Sequence, residues 1–169
     1  VCFITSSFKE YIDENVSCNK GNIIDINTKK IIGKHNGLTK YTIGQRRGLD
    51  IGGTTDRMFV VGKNIEENVL YVALGNDNDY LKSDSCIIEN VNLNINDKPT
   101  NCTAKFRYRG LEYPVTLEYL NDNKIKVIYD NVKAITPGQT CVLYQGNQCI
   151  GGGTIKTVCK HDEKIWYIL

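Results

Sequence analysis

No run of apolar residues in the chain approaches the roughly 20 that a helical membrane span requires, so such a span is excluded. No C-x-x-C pair occurs among the seven cysteines, and only two histidines, His35 and His161, accompany them. The odd cysteine count and irregular spacing argue against a zinc site and against a secreted disulfide framework. Reduced, mostly buried thiols are expected, with Cys2 as the candidate exception. No G-x-x-x-x-G-K-S/T phosphate loop is present, so no nucleotide cofactor is expected on this stretch. There is no internal repeat and no low-complexity tract. Neither an initiator Met nor a signal-like segment opens the sequence, from which a cytoplasmic location is expected.

What is present is the composition of an ordinary globular protein, 41% hydrophobic and 24% charged over 169 residues. Net charge is +2, with 11 Lys/Arg against 11 Asp/Glu in the first 84 residues and 10 against 8 in the rest. A polyanion site must therefore come from local arrangement. Residues 7–16 are the best helix candidate, with Ser7 as cap, Glu10 three residues on, and Phe8, Tyr11 and Ile12 sharing a face. Beyond them the pattern is β. Residues 22–33 and 57–74 each read as a strand pair with a polar turn, and residues 75–85 read as a linker. Six short strands follow, at 86–95, 102–109, 113–120, 124–129, 140–144 and 148–157. Thr136-Pro137-Gly138 forms a turn among them, and Gly146-Asn147 suits a type II′ hairpin. The expected fold is mainly β: a small β-rich domain over 1–84, then a closed antiparallel barrel of about six strands over 85–169.

Two stretches carry candidate function. In "CTAKFRYRG" strand alternation places Lys105, Arg107 and Arg109 on one face, roughly 7 Å apart and close to a phosphate spacing, with Cys102, Ala104, Phe106 and Tyr108 on the other. A solvated outer barrel face would look the same. In "GLTKYTIGQRRGLDIGG" five glycines surround Arg46 and Arg47, which present forks for phosphate or carboxylate; a glycine-rich crossover with solvated arginines is the alternative. His35 reads as a polar loop residue, because no carboxylate is placed beside it.

Taken in order, "CFI", "GKHNGLTKYTIGQRRGL", "FVVGKNIEENVLYV", "AKFRYRG", "ITPGQTCVLY" and "CIGGGTI" resemble the C-terminal half of bacterial tRNA-specific 2-thiouridylases. The resemblance runs from Cys2 to about Ile155, and the tail beyond it departs from the pattern. It implies a barrel like domain II of translation factors, a tRNA whose wobble uridine is thiolated at C2, and tRNA contacts at Arg107, Tyr108 and Gln139. It makes Cys2 the second catalytic cysteine, a persulfide carrier loaded by a cysteine desulfurase or sulfur-relay protein. A persulfide suits that attack because its terminal sulfur is more acidic and more exposed than an ordinary thiol. The resemblance also implies that ATP, with Mg, activates the uridine oxygen on a preceding domain, so that Val1 is a cut inside a longer protein. The chain alone is then expected to be inactive and to bind no cofactor. A stand-alone RNA-binding barrel and a protein–protein adaptor remain as other readings of the same residues.

Overall fold

The computed structural model describes residues 19–49, 51, 57–121 and 123–168. The helix expected over 7–16 and the thiol of Cys2 lie outside them. Among the described residues strand dominates, and helix is confined to two 3-10 turns, Leu38–Lys40 and Asp79–Leu81. No helix there is long and apolar enough to cross a membrane. The chain divides into two compact units: one runs to Leu81 and takes in the last residues from Tyr167, and the other covers Lys82–Trp166.

The first unit is a mixed four-stranded sheet of β1 (Gly21–Asp25), β2 (Ile31–His35), β3 (Met58–Asn64) and β4 (Val69–Leu74), in the order β2-β1-β4-β3. Both expected strand pairs form as antiparallel hairpins, because their turns carry the right chemistry. The Asp25 carboxylate accepts from the Asn27 amide at 2.9 Å and the Thr28 hydroxyl at 3.0 Å. Asn64 accepts from the Glu67 amide at 3.0 Å, and Asn68 takes the left-handed conformation at φ 53. The hairpins join through a parallel β1–β4 pairing that neither turn foretells. Ile23, Val60, Leu70 and Val72 bury their side chains against Tyr41 and Leu49 from the glycine-rich crossover. Residues given no role from sequence complete this unit: Tyr167 donates from its hydroxyl to the Tyr80 carbonyl at 2.9 Å, and Ile168 bridges Lys63 in parallel.

The second unit contains β5 (Lys82–Leu93), β6 (Asn101–Lys105), β7 (Tyr113–Asn121), β8 (Lys124–Lys133), β9 (Thr140–Gln145) and β10 (Gln148–Lys160), with the short β11 (Glu163–Lys164) paired to β10. The order β10-β5-β8-β7-β6-β9 closes on itself through β9–β10. It is a closed six-stranded antiparallel barrel, in which alternate side chains such as Cys86 and Ile88, or Cys141 and Leu143, fill the interior. Gly146 takes φ 56 while Asn147 stays right-handed, as a type II′ hairpin requires.

Two expectations need correction. Lys82–Ser85 belong to β5 and not to a linker, because Lys82, Ser83 and Ser85 pair with Lys133, Val132 and Ile128 of β8 and buried Ser83 shares a hydrogen bond with the Tyr129 hydroxyl at 3.0 Å. The strand expected over 102–109 ends at Lys105. Phe106 drops into the barrel, 4.9 Å from the Tyr129 ring in an edge-on contact, and the chain turns over residues 107–110.

Candidate functional site

That early strand end rearranges the three cations. Lys105 stays on the outer wall of β6, whereas Arg107 and Arg109 ride on the following turn, closed by the Gly110 amide donating to the Arg107 carbonyl at 2.9 Å. The shared strand face is therefore not formed. Tyr108, placed inward by alternation, stands at the tip of the turn, 96% exposed. Alternation stops at Lys105, so it does not set the direction of Tyr108.

The same turn brings the residues together in another way. Lys105 through Arg109 line a cavity of about 850 Å³ with Gly138, Gln139, Val142 and Tyr144. Its floor is the outer wall of β6 and β9, whose register sets Thr103 against Tyr144 and Lys105 against Val142. Its far rim is the turn after β8. Pro137 and Gly138 occupy the two central positions of a type II turn, Gly138 at φ 83, closed by the Gln139 amide donating to the Thr136 carbonyl at 3.3 Å. Backbone bonds of 2.8 Å each way with Ile155 dock this turn on β10. Gln139 is thereby fixed, with its Oε1 shut from solvent and without a hydrogen-bond donor among the described residues. Buried acceptors are rarely left so, and this one belongs to a residue that lines the cavity.

The cations are not equivalent. Lys105 lies 3.5 Å from Glu112 and 5.1 Å from the Tyr144 ring centre, held by an ion pair and a cation–π contact. The Glu112 carboxyl is held below its ordinary range by the Thr103 hydroxyl first and Lys105 next, so it is ionised at neutral pH. Arg107 donates one guanidinium N–H to the Ala134 carbonyl at 2.8 Å. A guanidinium has five N–H groups in a planar fork, the shape that suits a phosphate.

Val142 and Tyr144 were missed from sequence. The alternation of "TCVLY" holds the signal: Cys141 and Leu143 point in, so Thr140, Val142 and Tyr144 point out onto the β6 neighbour. Arg46 and Arg47 belong to the first unit, exposed on a crossover that Gln45 pins by accepting from the Thr42 amide and donating to the Arg47 carbonyl, both at 2.9 Å. His35 is no loop residue: it ends β2 fully buried. Its Nδ1 accepts from the Gly37 amide at 3.1 Å and its Nε2 reaches the Asn68 carbonyl at 3.0 Å, so it serves backbone and not chemistry.

Among the described thiols, burial pushes Cys86 up to about 12 and Cys102 up to about 11, and it raises Cys141 as well. Thiols so protonated are poor nucleophiles. No group of three or more potential metal ligands gathers among the described residues. The glycine-rich crossover packs on β3 through Gly44 and Gln45 and lacks phosphate-loop spacing, so the described residues do not fit ATP.

Comparison with known proteins bears on both units. Residues 9–74 match the family model described as tRNA methyl transferase PRC-barrel domain, and residues 83–155 match the aminomethyltransferase beta-barrel domain. The tRNA-specific 2-thiouridylase MnmA of Mycoplasmopsis synoviae is 43% identical over 99% of this chain and 46% of its own length. That of Staphylococcus carnosus is 47% identical over 100% and 47%, and that of Geobacillus thermodenitrificans 44% over 99% and 46%. The chain thus spans about half the length of the curated relatives it matches.

Proposed function

The chain belongs to the tRNA-specific 2-thiouridylase family, matching its C-terminal part, and from that premise we propose that its barrel is the tRNA-holding portion of an enzyme that thiolates a uridine. One observation carries this reading: the outer groove of the barrel gathers Arg107, Arg109, the projecting Tyr108 and the unpartnered Gln139 oxygen around one cavity. Arginine forks suit phosphates, an exposed aromatic ring suits an unpaired base, and a lone acceptor suits a base N–H or a ribose hydroxyl. The wobble uridine lies in such an unpaired loop and can turn outward at modest cost.

In this reading Cys2 carries the persulfide sulfur, supplied by a cysteine desulfurase or sulfur-relay protein, and the buried barrel thiols Cys86 and Cys141 take no part, because burial keeps them protonated. Arg46 and Arg47 are a second, separate set of phosphate ligands on the first unit. ATP with Mg belongs to the portion of the relatives that the chain does not span, since the described residues do not fit it, and no step is assigned to it on this chain.

Fluorescence anisotropy of a labelled tRNA transcript tests the reading. Arg107→Ala is expected to weaken binding about tenfold, and Gln139→Ala to weaken it with no change in salt dependence. In the full-length enzyme Cys2→Ser is expected to abolish thiolation while tRNA affinity stays. Equal binding by wild type and Arg107→Ala would overturn the assignment of the groove, and retained turnover would remove Cys2 from the chemistry.

A further inference from the structure

Ala134 takes a left-handed backbone conformation at φ 58. Asn and Asp supply several of the other left-handed positions, where a short polar side chain can bond locally. Ala134 has no such group, yet it is buried and held in that conformation directly after β8. Strain of this kind persists only where the surroundings impose it, and it is found at sites of function more often than elsewhere.

Here the consequence is the direction of one carbonyl. The Ala134 oxygen accepts from the Arg107 guanidinium at 2.8 Å and from the Thr136 hydroxyl at 3.0 Å. Arg107 comes from the turn between β6 and β7. Thr136 opens the turn that leads through Pro137 and Gly138 to Gln139. A single backbone oxygen therefore ties together the two loops that flank the groove. An arginine on an exposed turn would otherwise sample many rotamers, and each would have to be ordered when a phosphate binds.

We propose that the Ala134 carbonyl, kept in place by its left-handed backbone and by Thr136, is a positioning group for Arg107. By accepting one guanidinium N–H it fixes the orientation in which Arg107 meets a tRNA phosphate. This rests on the groove being the tRNA site. Ala134 is a positioning residue: it acts on the ligand only through Arg107.

A double-mutant cycle on the 169-residue chain, read by anisotropy with a labelled tRNA transcript, tests it. Ala134→Val disfavours the left-handed region, because a β-branched side chain crowds there, and turns the carbonyl away. It is expected to weaken binding about fivefold when Arg107 is present and to have no further effect in Arg107→Ala. Ala134→Asn, which tolerates the same backbone, is expected to bind within about twofold of wild type. If circular dichroism shows Ala134→Val unfolded, Thr136→Val takes its place, since it keeps shape and removes the second donor; a loss of about twofold to threefold confined to the Arg107 background is expected. Additive losses in the cycle would reduce Ala134 to a fold-stabilising residue and overturn the inference while leaving the groove assignment standing. Unchanged binding in Arg107→Ala would overturn both.

Discussion

His35 lies between two backbone groups with opposite needs, and one neutral tautomer satisfies both: Nε2–H donates to the Asn68 carbonyl and Nδ1 accepts from the Gly37 amide. A second proton would have to sit on Nδ1, facing an N–H in a buried site. Burial and the neighbouring Lys63 lower its pKa from the ordinary value, against a smaller opposing effect of the Asn68 bond. The unfolded chain then binds a proton more readily than the folded one. Stability from this residue is fully present above the unfolded pKa, about 6.5, and is lost as pH falls below it toward the folded value. Thermal unfolding of the first unit should therefore drop between about pH 7.5 and about pH 5.5 in wild type, and His35→Gln should flatten that window. Glu112 and Asp162 do not interfere, because their partners hold both below the ordinary carboxylate range. A wild-type midpoint constant across the window would show that His35 is not forced to stay neutral. None of this could be read from sequence, where His35 resembles a loop residue: one partner is a backbone atom 33 positions away.

The strands of the barrel were legible because each alternates and each is bounded by turn formers. The end of β6 was not. Arg107 and Arg109 continue the alternation on paper, and what ends the strand is tertiary: Phe106 is drawn 3% exposed into the barrel beside Tyr129. Gly110, which closes the turn, was the available signal. The "GGG" of β10 is the reverse case, a motif whose physical reason is absent from the sequence and lies in barrel closure. β10 passes between β5 and β9, and a methyl group at Gly152 would overlap the Cys141 carbonyl oxygen of β9, while one at Gly151 would overlap that of Asn92 in β5. Side chains there would pry apart the seam that closes the barrel. Gly152→Ala is expected to cost about 3 kcal/mol, the upper part of the range for overpacking, because the obstructing atom is backbone and cannot swing aside. Urea unfolding followed by circular dichroism measures it. A loss below about 0.5 kcal/mol would mean that the β9–β10 seam has slack.

Across the whole molecule the net charge of +2 offers little attraction to a polyanion, so the RNA binding proposed for the groove depends on how its local cations are arranged. The sequence suggests three equal ones, while the structure ranks them. Lys105 is neutralised by Glu112 at 3.5 Å, and that carboxylate stays ionised because Thr103 and Lys105 both hold its charged form. In the proposed reading Arg107 and Arg109 are the groove's phosphate ligands. At a coefficient of about 0.7 per phosphate for single strands, they give a slope of log affinity against log salt of about −1.4. Glu112→Gln removes the carboxylate while keeping most of its shape, and it releases Lys105 to a third phosphate. Removing this acidic side chain is therefore expected to tighten tRNA binding and to steepen the slope to about −2.1, with Lys105→Ala in the same background returning it to about −1.4. If Glu112→Gln leaves both affinity and slope unchanged, the outer wall of β6 lies away from the RNA, and the contact surface is confined to the turn that bears Arg107, Tyr108 and Arg109.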